Sequence, residues 1–211
     1  MPIYKSITVS PSTTAYLWKV TESESDLAHN VELTPHCQQR LDGMKSEMHR
    51  RAFLSIRHLL AEAGYVDKDL YYSDFGKPFL KDGNHISITH SNNFTGIIIS
   101  KNEEVGIDIE MQREKILRIA HKFTPIHEYR TLANTEAVIR KLTIVWGAKE
   151  SLYKIYAQPG LSFLQHIDVS DFRFDDKETK AKIRYQGQKS EYGVNFLEFE
   201  GFTCVYAQRE D

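Results

Sequence analysis

The chain has 211 residues, 41% of them hydrophobic and 27% charged, and a formal net charge of −2. This length suits one large domain or two small ones with a real core, and the near-neutral balance excludes a global basic field for nucleic acid. Cys37 and Cys204 have no metal spacing and no disulfide framework around them, no apolar run is long enough to span a bilayer, and Met1 to Ser10 lacks the basic-then-apolar pattern of a signal peptide, so a cytoplasmic protein is expected.

Residues 3–9 and 14–20 read as strands, the second apolar on both sides. Ser23 with Asp26, and Thr34 before Pro35, are helix-start signals. The spacing of Met48, Ala52, Ile56, Leu59 and Ala63 predicts a helix over 46–63, stopped by Gly64. That helix carries Arg50, Arg51 and Arg57, with Arg50 and Arg57 seven apart on one face; a solvated basic face is the plain reading. Gly76-Lys77-Pro78 reads as a turn between apolar residues. Residues 86–91 form a strand whose parity groups His90 with Ile86 and Ile88, so His90 is expected to be partly buried. Zinc is discounted, because His85 and His90 lack a ligand spacing.

Further strands are expected at 94–100 and 105–110, joined by a turn over 101–104. Helices follow at about 114–121 and 125–133, then a long one from Thr135-Glu136 to about residue 157, ended by Gln158-Pro159-Gly160. Segments near 165–174, 181–185, 192–199 and 202–207 look like strands. Strands and one long helix recur in each half, which predicts an α+β fold of two similar lobes, 1–104 and 105–211.

Two stretches carry the chemistry. In Val105-Gly106-Ile107-Asp108-Ile109-Glu110 the alternation puts Asp108 and Glu110 on one side of a strand, the open side, about 6.5–7 Å apart. In the long helix Val138, Leu142, Val145, Leu152 and Ile155 mark a buried face, while Trp146, Glu150 and Lys154 stack on a second one. Two strand carboxylates met by a third from a helix suit an oxygen-loving cation. Taken singly, a Glu–Lys helix pair and an alternating acidic strand are ordinary surface features.

Together and in this order, Val105 to Glu110 and Trp146 to Lys154 resemble the paired motifs of the 4′-phosphopantetheinyl transferase superfamily, in particular its longer, surfactin-synthetase type. Gly147 departs from the small hydroxyl or thiol residue common there, and Thr89 replaces a usual serine in a Ser-His-Ser segment. The resemblance implies a pseudo-dimer with the active site in the cleft between lobes. It implies a working monomer that moves phosphopantetheine from coenzyme A to a serine of an apo acyl or peptidyl carrier protein, leaving 3′,5′-ADP. Asp108, Glu110 and Glu150 would be Mg²⁺ ligands. Lys77, Pro78, Thr89 and His90, with an arginine of the first long helix (Arg50 and Arg57 favoured), would bind the coenzyme A nucleotide. Lys154 would face the same phosphates, and Glu150, directly or through water, is the candidate base, with a metal-bound water as the alternative. A Mg²⁺-dependent phosphohydrolase and a non-catalytic binder of coenzyme A or carrier are the competing readings.

Overall fold

The computed structural model describes residues 3–125 and 134–210. The chain divides into two compact units, Met1–Glu103 and Glu104–Asp211.

The first unit opens with β1 (Lys5–Ser10) and β2 (Thr13–Lys19), followed by α1 (Glu24–Ala28), α2 (Pro35–Asp42) and α3 (Glu47–Glu62). The start signals Ser23 and Thr34 act as expected, each accepting a bond from the backbone amide three residues on, and Ser46 does the same for α3. Gly64, at φ +86°, follows the C-cap of α3. A small hairpin, β3 (Leu70–Tyr72) with β4 (Pro78–Leu80), precedes β5 (His85–Ser91) and β6 (Phe94–Ser100). The four-stranded sheet is antiparallel in the order β1-β2-β6-β5. α3 lies across β2 and β6, and its Leu54, Leu59 and Leu60 share a core with Trp18, Ile97 and Ile99. Met48, assigned to the apolar stripe of α3 by its spacing, is 52% exposed; it sits in the first turn, before the helix reaches the core.

The second unit runs β7 (Val105–Met111), α4 (Lys115–Ile119), α5 (Thr135–Tyr156), α6 (Phe163–His166), then β8 (Ile167–Val169), β9 (Glu178–Tyr185), β10 (Gln188–Phe199) and β11 (Phe202–Glu210). Its antiparallel sheet has the order β7-β11-β10-β9-β8. Leu142, Val145, Leu152 and Ile155 of α5 pack with Val194, Phe196, Val205 and Ala207. Ala157 ends α5 in the left-handed region at φ +49°, just before Pro159. The helix expected at 125–133 lies almost wholly outside the described residues. The strand expected over 165–174 is instead the short α6, a three-residue β8 and a 3₁₀ turn at Phe174–Asp176. With antiparallel sheets each covered by a long helix, the fold is α+β. The chain's two cysteines are free and buried, Cys37 on α2 and Cys204 on β11.

Candidate functional site

The helix α5 meets β7 and its neighbour β11 closely because glycine stands at two places in the contact. A Cβ on Gly106 would lie 2.0 Å from the Ser151 carbonyl oxygen, and one on Gly147 would lie 2.7 Å from a Val205 methyl. The Ser151 hydroxyl fixes the approach by donating to the Val205 carbonyl at 3.1 Å. Gly147 therefore serves helix–strand packing, beyond the flexibility its residue type suggests.

This approach reverses one expectation. Asp108 and Glu110 do share a face of β7, but it is the face α5 covers. Asp108 pairs across the sheet with Val205 and is only 6% exposed; Glu110, opposite Thr203, is half-buried. Alternation groups residues by side, but it does not say which side a distant helix will cover.

On α5, Trp146, Glu150 and Lys154 turn toward these acids. The Trp146 indole N–H donates to Glu110 Oε1 at 3.2 Å. Lys154 Nζ donates to Asp108 Oδ1 at 2.9 Å and to the Ile107 carbonyl at 2.8 Å. Burial, then the charge of Asp108, raise the Glu150 pKa to about 7; Lys154 opposes and Glu110 adds to the rise. Glu110 is raised in the same way, by burial and then by Asp108, against the Trp146 bond and the charges of Arg113 and Lys154. Three carboxylates thus repel one another beside a lysine that offsets only part of their charge. Among the described residues no group of three or more His, Cys, Asp or Glu side chains has the arrangement of a metal cage. The donor chemistry nonetheless fits a hard cation: the three groups are carboxylates, and their mutual repulsion is what a divalent ion relieves.

Residues 104–207 match the model of the 4′-phosphopantetheinyl transferase superfamily. The second unit belongs to that superfamily. The chain is also similar to a 4′-phosphopantetheinyl transferase (gsp) of Aneurinibacillus migulanus, at 30% identity over 135 residues. The alignment takes in 63% of this chain and 54% of that relative, so the chain spans about half the length of the curated protein it matches.

The superfamily match covers the acids and α5, and the remaining expected site residues lie in the first unit. Lys77 and Pro78 are half-buried at the β3–β4 turn, which Gly76 enters at φ +80°. On that turn Phe75 is 77% exposed, a feature for which the sequence gives no signal beyond residue type. Thr89 is buried. His90 is exposed, contrary to its parity with Ile86 and Ile88, because it lies near the open end of β5. Its ring lies 6.0 Å from that of His49 at the start of α3.

The three arginines of α3 have different surroundings. Arg57 is buried, bonded to Asp67 at 2.9 Å, to the Phe53 carbonyl and to Cys37 Sγ, with its guanidinium 3.5 Å from the centre of the Phe53 ring. It is a core ion pair, which corrects its expected place among the ligands. Arg50 is held at 2.8 Å by Glu24 and by the Met44 carbonyl. Arg51 is half-buried, and its buried Nε has no hydrogen-bond partner among the described residues. It lies one turn before Ser55, which bonds Thr95, the cross-strand partner of His90.

Proposed function

We propose that this protein transfers 4′-phosphopantetheine from coenzyme A to a serine of an apo carrier protein, with Mg²⁺, releasing 3′,5′-ADP. The observation that carries the reading is the cluster of Asp108, Glu110 and Glu150. These are mutually repelling carboxylates, offset in part by Lys154 beside Asp108, in the unit that matches the superfamily. Asp108, Glu110 and Glu150 would hold Mg²⁺, which when bound neutralises pyrophosphate oxygens. Lys154, already beside Asp108, orients the phosphates and stabilises charge that develops on them. Glu150, directly or through a water, takes the proton from the serine hydroxyl.

In the first unit, Lys77, Pro78, Thr89 and His90 bind the nucleotide. Arg51 replaces Arg57 as the guanidinium on the phosphates, supported by its partnerless Nε. Arg50 needs to exchange Glu24 for phosphate to take part. Phe75, exposed beside Lys77, offers a face for a nucleobase. One chain carries both sets of residues, so a monomer is the expected working form, checked by light scattering across a concentration series. Among the described residues no helix is long and apolar enough to cross a membrane, and the reaction proposed is cytoplasmic.

Incubation with coenzyme A, Mg²⁺ and an apo carrier protein, followed by mass spectrometry of the carrier, tests the reading. A phosphopantetheine adduct on the carrier supports it. Cleavage of coenzyme A without an adduct points to a phosphohydrolase, and an unchanged mixture points to a binder; either outcome overturns it.

A further inference from the structure

Lys149 precedes the candidate base on α5 and has a surrounding unlike that of its neighbours. It is 1% exposed, one of the largest fully buried side chains among the described residues. An ammonium so buried needs hydrogen-bond acceptors to offset its desolvation. Its acceptors include two backbone carbonyls from different connections: that of Phe123, past α4, and that of Phe163, at the start of α6, at 2.9 Å for the latter. The same two residues flank Trp146. The Phe123 ring lies 5.0 Å from it edge-on, and the Phe163 ring 5.4 Å away. Trp146 in turn donates to Glu110. Lys149 and Trp146 are three apart on α5, so they sit one turn apart on neighbouring faces of one rigid helix.

We infer that Lys149 is a positioning residue: it holds Phe123 and Phe163 against Trp146, and Trp146 holds the Glu110 carboxylate in place for a divalent cation. The inference rests on the proposed role of Glu110. The indole bond fixes one oxygen of that carboxylate, leaving the other to turn toward the cation. Outer-shell partners of metal ligands typically matter by about tenfold or more in affinity.

The test is a double-mutant cycle on the full chain, read as Mn²⁺ affinity by electron paramagnetic resonance, with Glu110→Gln as the control. Trp146→Phe keeps the ring packing and removes only the donor. Lys149→Met keeps the length of the side chain and removes the charge. Each variant should weaken Mn²⁺ about tenfold, and the double variant should be no weaker than Trp146→Phe alone, because Lys149 acts through Trp146. Additive losses would overturn the inference, since a residue that merely supports the fold weakens the site whether or not the indole is present. Parent-like affinity in both single variants would overturn it too. If Lys149→Met does not fold, Phe163→Leu takes its place in the cycle, because it removes one ring beside Trp146 and keeps the carbonyl. A parent that binds no Mn²⁺, or a Glu110→Gln variant that binds it normally, would instead overturn the proposed metal site on which the inference stands.

Discussion

In the first unit the chain runs through β2, then α3, then β5 and β6, and β6 returns to pair with β2; in the second it runs through β7, then α5, then β10 and β11, and β11 returns to pair with β7. In each, the long helix packs on the first and the last strand of that set. The two differ in the charge they bury. Under α3 the Arg57–Asp67 pair is complete. Burial pushes the Asp67 carboxyl up, but the Thr34 amide, Arg57 and the Thr34 hydroxyl together hold it below its ordinary value. Under α5 burial and then the neighbouring Asp108 charge raise Glu110 and Glu150. A buried charge alone does not separate support from chemistry. The direction in which its pKa moves does, because matched carboxylates go down and crowded ones go up.

The sharpest way to break this contrast is to remove one acid from each unit. Asp67→Ala strands Arg57 and both Thr34 donors and should cost about 3–5 kcal/mol of stability in urea. Asp108→Ala loses the Lys154 bond but relieves the repulsion on Glu110 and Glu150. Its metal-free stability should stay within about 1 kcal/mol of the parent, while carrier modification falls at least about a hundredfold. If Asp108→Ala is as destabilising as Asp67→Ala and modifies the carrier normally per folded molecule, the acids are structural and the contrast is void.

The glycine contacts sharpen the comparison at a smaller scale. Gly106→Ala would set its Cβ against a backbone carbonyl that cannot turn aside, so α5 must lift from β7, at a cost of about 3 kcal/mol. Gly147→Ala meets a valine methyl instead. Overpacking of about 1–3 kcal/mol is offset by about 1 kcal/mol of helix propensity, leaving a net loss near 1 kcal/mol. Urea titrations that ranked the two in the opposite order would show that the helix is held elsewhere.

The smallest effect is on pH dependence. Unfolded, Glu150 titrates near its ordinary 4.5; folded, it titrates near 7. Between these values the folded chain binds the extra proton, so the metal-free protein loses stability as pH rises from about 4.5 to about 7. The slope for one proton cannot exceed about 1.4 kcal/mol per pH unit, and screening in the partly open site lowers it further. Glu150→Gln should flatten that slope in calorimetric melts taken in chelator at pH 5, 6, 7 and 8. Equal slopes in parent and variant would remove Glu150 from the cluster.

Much of this was legible in the sequence where the signal is local. The caps Ser23 and Thr34 and the stop after α5 are set by short-range hydrogen bonding and backbone preference. The stacking of Trp146, Glu150 and Lys154 follows from helical spacing alone. What the sequence left open depends on contacts between distant segments. The cover over Asp108 comes from a helix some forty residues later, made possible by two glycines whose neighbours no pattern names. Arg57 looks like its neighbours Arg50 and Arg51, and only the arrival of Asp67 makes it a core residue. The stretch 165–174 is apolar enough for a strand, yet only Ile167–Val169 finds a partner, on β9. The superfamily resemblance carried the choice of acids further than spacing could, because its two motifs come from segments that fold together.

The placement of the two cysteines gives each unit its own reporter of opening. Cys37 is 5% exposed in the first unit, and Cys204 is fully buried in the second, where burial and then the Asp108 charge push its thiol up. A thiol-alkylating reagent reaches neither sulfur until the surrounding unit opens, so peptide mapping of a labelling time course yields two opening rates from one sample. A ligand that binds only one unit slows labelling of that unit's cysteine by a factor of one plus its concentration over its dissociation constant, and leaves the other rate unchanged. On the proposed function Mg²⁺ should slow Cys204 alone, whereas coenzyme A, with contacts in both units, should slow both labelling rates.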